Sequence, residues 1–448
     1  MEQFHDPIIF ENAIDSIEMK DNIIATYYMK DTLEGVDFID HFKLVEAMTI
    51  EGSTGSWEKV KEDSEEVRLM LTGKVVGYYN IPAEEPYTKA AVVQLAFPIN
   101  AWDDNIPMAL LSIAGNCFAY SDTIRLLDIT LPENMVKNFK GPKFGIEGIR
   151  DMLGVQDRPL SLHIIKPKMG MTPKQTGDQV FETAMGGVDM CKDDEMTSDT
   201  YNNKFEDRLK YVMDAIDRAS EKTGKRVIYY LSITDEVGKM YDKAKRAVEL
   251  GANGLLITFS AGLSAFRRIT SDPDINVPVM MHNSHQIGSM KSISWPVWTK
   301  LIRLCGADNT LTPTYWSSIP MVSLEEGLRC SHIARSKLFH IKKMWPQPAA
   351  GLYPGLAPIV IPEFGKDIIL AAGGGLLGHP HGYRAGAEAW QQAIHAVMND
   401  IPIDQHARKK ENKSLRGALE KWGYMERPTT PWLRVAPKFH PKPFKMEE

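Results

Sequence analysis

Eight short apolar runs follow one another from residue 160 onward: LSLHII, GVDMC, RVIYYLSIT, ANGLLITF, VPVMMH, DNTLTP, PAAGLYPG and DIILAAGGG. They recur roughly every 30 residues, the length of one strand-plus-helix unit, and this spacing limits the fold more than any other feature. Each run is almost continuously hydrophobic, as a strand buried on both faces of a parallel sheet must be. Between them, KFEDRLKYVMDAIDRASEKTGK and EVGKMYDKAKRAVELGAN are amphipathic and end in Gly or Asn, as helix C-termini do. GYRAGAEAWQQAIHAVMND reads as a further helix after the eighth run. The pattern predicts an α/β chain whose residues 146–448 form a (β/α)8 TIM barrel, with a proline-rich tail, PWLRVAPKFHPKPFKMEE, loosely packed or draped over a neighbour.

A chain of 448 residues exceeds one such barrel. Residues 1–145 read as a separate α+β domain. IIATYYMKD looks like a strand, GVDFIDHFKLVEAMTIEGS has helical spacing, and VRLMLTGKVVGYYNIP and AAVVQLAFPI alternate as strands do. A net charge of −6 leaves no basic footprint for nucleic acid. No run of about 18 apolar residues exists to cross a membrane. The acidic start, MEQFHDPIIFENAIDSIEMK, lacks the basic and apolar regions of a signal peptide. Cys117, Cys191, Cys305 and Cys330 stand singly, which fits a reducing cytoplasm rather than a disulfide or zinc framework.

In a barrel of this kind the active site lies at the C-terminal strand ends. The polar residues just after each apolar run are therefore the candidates. After the first comes KPK, with Lys166 and Lys168 two apart and on one side of an extended segment. After the second comes KDDE, Lys192 to Glu195. Hard carboxylate oxygens here suit Mg²⁺, which a free ammonium would repel. The set makes chemical sense if Lys192 is neutral, or carries a carbamate formed from CO₂ and so becomes an anionic oxygen ligand. A lysine desolvated near a metal can have its pKa lowered and act as a base. After the fifth run, His282 and His285 could handle a proton or a phosphate. After the eighth, the glycine turn Gly373–Gly375 before a helix could offer amides to a phosphate. Each motif alone has a plainer reading, as a solvated charge cluster, a structural histidine or a packing turn.

Taken in order, IIKPKMG, GGVDMCKDDE and AAGGGLLGHPHGYRAGA resemble the large subunit of RuBisCO. EGSTGSW, AGNCF and GPKFGIEGIRDMLGV are similar to further family segments, so the resemblance covers nearly the whole chain. It implies an N-terminal α+β domain ahead of the barrel. It also implies a homodimer in which one chain's N-terminal domain completes the other's site. Carried over by motif, Lys192 would be the carbamylated lysine, and Asp194 and Glu195 the other Mg²⁺ ligands. Lys166 would be the base and Lys168 its neighbour. Asn116 would hold substrate near the metal, and Glu51 would meet the opposite barrel. Ser56, Trp57, Gly373 and Gly374 would lie at a phosphate, and His282 would be the strand-five histidine.

The departures narrow the function. Carboxylases carry a mobile G-K-x-E-G loop after strand six. Here LTPTYWSSIP puts Ser317 or Ser318 near that lysine's place. The strand-five His–Arg pair becomes His282–Asn283, the strand-six histidine is replaced around Leu311, and the strand-seven Ser-Gly-Gly becomes Ala349–Ala350–Gly351. One phosphate site is stripped and the other keeps its glycines. The expectation is a RuBisCO-like protein of the form IV group, acting on a small substrate with one phosphate and not fixing CO₂. The methionine-salvage enolase branch has a lysine where Asn116 stands. Mg²⁺-dependent decarboxylation or C–C cleavage of a 3-oxo sugar-acid phosphate (3-oxo-isoapionate 4-phosphate type) therefore leads the sequence-based reading. Enolisation or isomerisation of methylthio-sugar phosphates stands second. A non-catalytic binding or stress protein is the competing class.

Overall fold

The computed structural model describes residues 7–10, 14–30, 41–55, 58, 60–82, 88–284, 291–318, 321–426 and 440–446. Most of the proline-rich tail, together with Ser56, Trp57 and His285, lies outside the described residues. The chain divides into two compact units.

The first unit comprises the chain up to Lys140 with the helix Trp295–Leu304 and residues Phe339–Ile341. Its core is a four-stranded antiparallel sheet of β1 (Asn22–Lys30), β2 (Lys74–Ile81), β3 (Ala90–Pro98) and β4 (Arg125–Thr130), in the order β2-β3-β1-β4. β1 and β3 are the expected strands. VRLML is a correction: it forms the helix Glu65–Leu71, begun by Ser64, whose side chain accepts from the Val67 amide. The alternating reading holds only for the second half of that stretch. β4 was not anticipated. The helix Trp295–Leu304, distant in sequence, is tied to β4 through Lys300 Nζ on Asp128 Oδ1 at 2.6 Å and Ser294 Oγ on the Leu127 carbonyl at 2.6 Å.

The second unit holds eight parallel strands: β5 (Leu160–Ile164), β6 (Met190–Lys192), β7 (Ile228–Ser232), β8 (Leu255–Thr258), β9 (Val279–His282), β10 (Asn309–Thr312), β11 (Trp345–Pro348) and β12 (Ile369–Ala372). Nearly every strand residue is buried, as two-sided coverage requires. Leu162, Met190, Tyr230, Leu256, Met280 and Trp345 fill one core, while Trp316, Leu370, Trp390 and Leu415 belong to another. The helix Pro173–Met185 starts with a capping box between Thr172 and Gln175 and a proline in its first turn. The helix Phe205–Thr223 stops at Gly224, which adopts the left-handed conformation at φ 69°. Among the described residues no helix is long and apolar enough to cross a membrane.

The strands pair in the order β11-β10-β9-β8-β7-β6-β5-β12. β11 and β12 are neighbours without ladder hydrogen bonds. Six of the expected runs contain the strand they predict and GVDMC overlaps β6 at Met190 and Cys191, but PAAGLYPG overlaps β11 only at Pro348, and the strand is the preceding WPQP. The physical reason for the missed strand and for the missing ladder is the same. The amides of Trp345 and Gln347 turn toward β10, where they meet the Asp308 carbonyl and Thr312 Oγ1. By alternation the other edge belongs to Pro346 and Pro348, which have no N–H to give β12.

Candidate active site

β6 is only three residues long, so KDDE sits where its ladder runs out. Lys192, Asp193 and Asp194 are completely buried there, and the two aspartates serve opposite directions. Asp193 is not part of the charged cluster that the sequence implied. Its Oδ2 accepts from Arg208 Nε at 3.0 Å and the Ser232 amide at 2.9 Å, and its Oδ1 accepts from Tyr229 Oη at 2.7 Å. Burial, with Asp193 beside it, pushes the Tyr229 hydroxyl well above its ordinary pKa and keeps it a donor.

Asp194 and Glu195 face the lysines from the end of β5. Lys166 Nζ donates to Asp194 Oδ2. Lys168 Nζ stands 2.7 Å from Glu195 Oε1 and 3.6 Å from Asp194 Oδ1, so one cationic centre already bridges both carboxylates. From the end of β9, His282 Nε2 lies 3.5 Å from Glu195 Oε2. Among the described residues Lys192 Nζ has no carboxylate partner at hydrogen-bond distance, and it donates to the Asp193 carbonyl at 2.9 Å. Three strand ends thus bring together Lys166, Lys168, Lys192, Asp194, Glu195 and His282.

The electrostatics follow from burial among mixed charges. Burial pushes the Lys192 ammonium down to about 8, against the attraction of Glu195 and Asp194. The Glu195 hydrogen bond raises Lys168 above its ordinary value. Burial, then the Lys192 charge, holds His282 well below its ordinary value, so its ring is neutral near pH 7. Its Nδ1 is buried and meets no hydrogen-bond partner among the described residues. Burial opposes ionisation of Glu195, but the Lys168 hydrogen bond and the Lys192 charge bring its carboxyl below the usual range, and His282 adds to this only when its ring is protonated.

The other strand ends shape the surroundings. Gly373, after β12, lies against the Lys166 side chain, and a Cβ there would come within 3.4 Å of its Cγ and Cε. Gly374 opens a helix of four residues, Gly374–Leu377. After β11, Ala350 and Gly351 both adopt positive φ, 73° and 72°. The Ser317 hydroxyl donates to the Ala350 carbonyl and the Ser318 hydroxyl to the Gly351 carbonyl, the latter at 3.1 Å. The loop after β10 is therefore hydrogen-bonded to the loop after β11. Asn283 is buried and gives its Nδ2 to the Leu311 carbonyl at 3.1 Å. A small cleft is lined in part by Lys168, Met169, Met171, Thr197, Asn203 and Arg208.

In the first unit, Glu51 ends the helix His41–Glu51 and accepts from Asn116 Nδ2 at 2.8 Å and Tyr120 Oη at 3.3 Å. The expected Glu51 and Asn116 are thus brought together with each other. Reading the sequence missed Arg208 and Tyr229. A signal for Arg208 exists, because it falls on the helix stripe of Phe205, Leu209 and Val212, where a charge needs a buried partner. Tyr229 gives none, being one more apolar residue in a buried strand.

A barrel whose two carboxylates, paired lysines and buried amine share one rim belongs to the α/β-barrel proteins in architecture, and comparison with known proteins narrows this. Residues 145–422 match the family model of the ribulose bisphosphate carboxylase large chain, catalytic domain, and residues 13–135 match that of its N-terminal domain. The chain belongs to the RuBisCO large-chain family. It is 36% identical over 419 residues to a ribulose bisphosphate carboxylase-like protein of Archaeoglobus fulgidus, covering 91% of this chain and 94% of that one. It is 33% identical over 417 residues to a 2,3-diketo-5-methylthiopentyl-1-phosphate enolase of Geobacillus kaustophilus, covering 90% and 98%. Among solved structures, a dimeric archaeal Rubisco from Hyperthermus butylicus superposes with a TM-score of 0.81 at 31% identity, covering 91% and 97%.

Proposed function

We propose that this chain is a RuBisCO-like enzyme that takes a proton from the carbon beside a ketone in a monophosphorylated substrate, forming an enediolate without fixing CO₂. The observation that carries this reading is the meeting of two carboxylates, two lysines, a neutral histidine and a buried amine at three strand ends. Among the described residues no three His, Cys, Asp or Glu side chains converge as a metal site, so Asp194 and Glu195 are one anionic ligand short. A carbamate formed from CO₂ on the Lys192 amine supplies it. The residues fit Mg²⁺, since Lys168 Nζ shows that one cationic centre can bridge both carboxylates. Lys192 as its carbamate, Asp194 and Glu195 would hold the ion, which when bound supplies Lewis-acid stabilisation of a developing oxyanion.

The remaining roles belong to the chain itself. Lys166, backed by Gly373, is the base, and Lys168 is its neighbour. Neutral His282 can accept or return a proton at Nε2. Gly373 and Gly374, with Ser56 and Trp57, take the single phosphate, and Gly351 lines the substrate. A second phosphate would find the Asn283 amide and the Ser317 and Ser318 hydroxyls already engaged by backbone carbonyls. Asn116 and Glu51 act from the N-terminal domain of a second copy in a homodimer, an arrangement supported by the relative described as dimeric.

Enolisation of a methylthio-sugar phosphate takes precedence over C–C cleavage, because the Geobacillus relative is named an enolase. Asn116, where that branch has lysine, favours the second reading, decarboxylation of a 3-oxo sugar-acid phosphate. The test is NMR in D₂O with Mg²⁺ and bicarbonate on the methionine-salvage diketo phosphate, methylthioribulose 1-phosphate, 3-oxo-isoapionate 4-phosphate and ribulose 1,5-bisphosphate. Deuterium uptake without cleavage in a methylthio compound supports the enolase. Loss of CO₂ from the sugar acid moves the assignment to the lyase. No turnover, with Mg²⁺-dependent ligand binding intact, points to a binding protein.

A further inference from the structure

We propose that Asp193, held by Arg208, Tyr229 and the Ser232 amide, is a positioning residue that sets Lys192, Asp194 and Glu195 for the cation; this rests on the metal reading above. β6 ends at Lys192, so the sheet alone gives the ligand segment little hold. Beyond the strand, the backbone of Asp193 makes a hydrogen bond to the Tyr230 carbonyl at 3.1 Å. The Asp193 side chain then accepts from three donors on two different elements, the strand β7 and the helix Phe205–Thr223. Asp193 and Arg208 side chains are both wholly buried, at 0% exposure.

Stability alone is a poor reason for such a pair, since apolar residues of similar volume often serve a buried site as well or better. Position supplies a better one. The residues on either side of Asp193 both belong to the site, and its own carbonyl receives Lys192 Nζ. Turning the Asp193 peptide would displace the amine and the Asp194 carboxylate together. The strand β6 also carries an internal comparison. Asp189, just before its start, is gripped by Arg158 through contacts of 2.8 and 2.7 Å and by the Ser161 amide at 2.8 Å. That pair has similar chemistry at the opposite end of the strand, away from the ligands.

The experiment uses the full chain with Mg²⁺ and ¹³C-bicarbonate. Calorimetry gives the Mg²⁺ affinity, the ¹³C carbamate signal gives Lys192 occupancy, and thermal melting gives stability. Tyr229→Phe and Arg208→Lys are compared with Asp189→Asn. The positioning role predicts Mg²⁺ affinity lowered about 10-fold or more in the first two, the usual scale for groups that orient ligands, with a weaker carbamate signal. It predicts unchanged Mg²⁺ affinity in Asp189→Asn even where that variant melts earlier. If Arg208→Lys does not fold, Tyr229→Phe decides, because it removes a single oxygen. Wild-type Mg²⁺ affinity and carbamate signal in Tyr229→Phe would overturn the proposal. So would an equal loss in Asp189→Asn, which would mark a general stability effect. If wild type itself shows no bicarbonate-dependent Mg²⁺ binding, the metal reading fails, and the positioning role fails with it.

Discussion

Replacing Lys192 by methionine should make the protein more stable at neutral pH. Burial lowers the Lys192 pKa from 10.5 to about 8. At about 1.4 kcal/mol for each tenfold change, the charged amine costs the folded state about 3 kcal/mol. The sign follows from linkage. Between pH 8 and 10.5 the unfolded chain binds the proton that the folded chain has released, so wild-type stability rises with pH across that window. Below it the full penalty applies, and above it the penalty is gone. Methionine keeps the length of the side chain and has no proton to bind. It loses the hydrogen bond to the Asp193 carbonyl, worth about 1 kcal/mol. Lys192→Met should therefore be more stable than wild type by about 2 kcal/mol at pH 7, and the difference should vanish or reverse near pH 10. Denaturant midpoints read by tryptophan fluorescence suit the test, since Trp316, Trp345 and Trp390 are buried in the barrel unit. The buffers must be free of CO₂, which would trap the neutral amine. A difference that does not narrow between pH 7 and pH 10 would refute the buried-amine argument.

Three further outcomes are expected. Lys168→Met removes a cation that holds the Glu195 carboxyl low, so the stability that Glu195 provides above its ordinary pKa is lost at a higher pH as acid is added; circular dichroism during acid titration should show an earlier transition. Gly351→Ala and Gly154→Ala both force alanine to positive φ, 72° and 68°, but only the former puts a Cβ 2.0 Å from Ser318 Oγ and evicts its hydrogen bond. Gly351→Ala should thus cost about 1 kcal/mol more in melting experiments, and equal losses would argue against the Ser318 contact. EDTA should leave the melting temperature unchanged, because Lys166 and Lys168 already neutralise Asp194 and Glu195. Mg²⁺ with bicarbonate should raise it, by a shift equivalent to about 2.7 kcal/mol at a hundredfold excess over Kd.

Much of this architecture was legible in the residues alone. Continuous apolar runs at βα spacing named seven of the eight barrel strands, because burial on both faces leaves a local record. KPK, KDDE and the histidine after VPVMM marked a rim, because a barrel makes strand ends neighbours whatever their distance in the chain. The eighth strand, Trp345–Pro348, escaped because its prolines contradict a strand until the unpaired edge toward β12 is seen. What only the tertiary structure decided was direction and partnership. KDDE reads as one cluster of three carboxylates around a lysine, yet Asp193 turns away to Arg208 and Tyr229 while Asp194 and Glu195 turn to Lys166 and Lys168. The carboxylates around Lys192 suggest a neutral or carbamylated amine from sequence, but only its complete burial brings its pKa down to about 8. Residue type and spacing fix which groups can meet at a strand end. Which carboxylate meets which cation, and at what cost in lost water, depends on contacts made across tens to hundreds of residues, and these leave no local pattern to read.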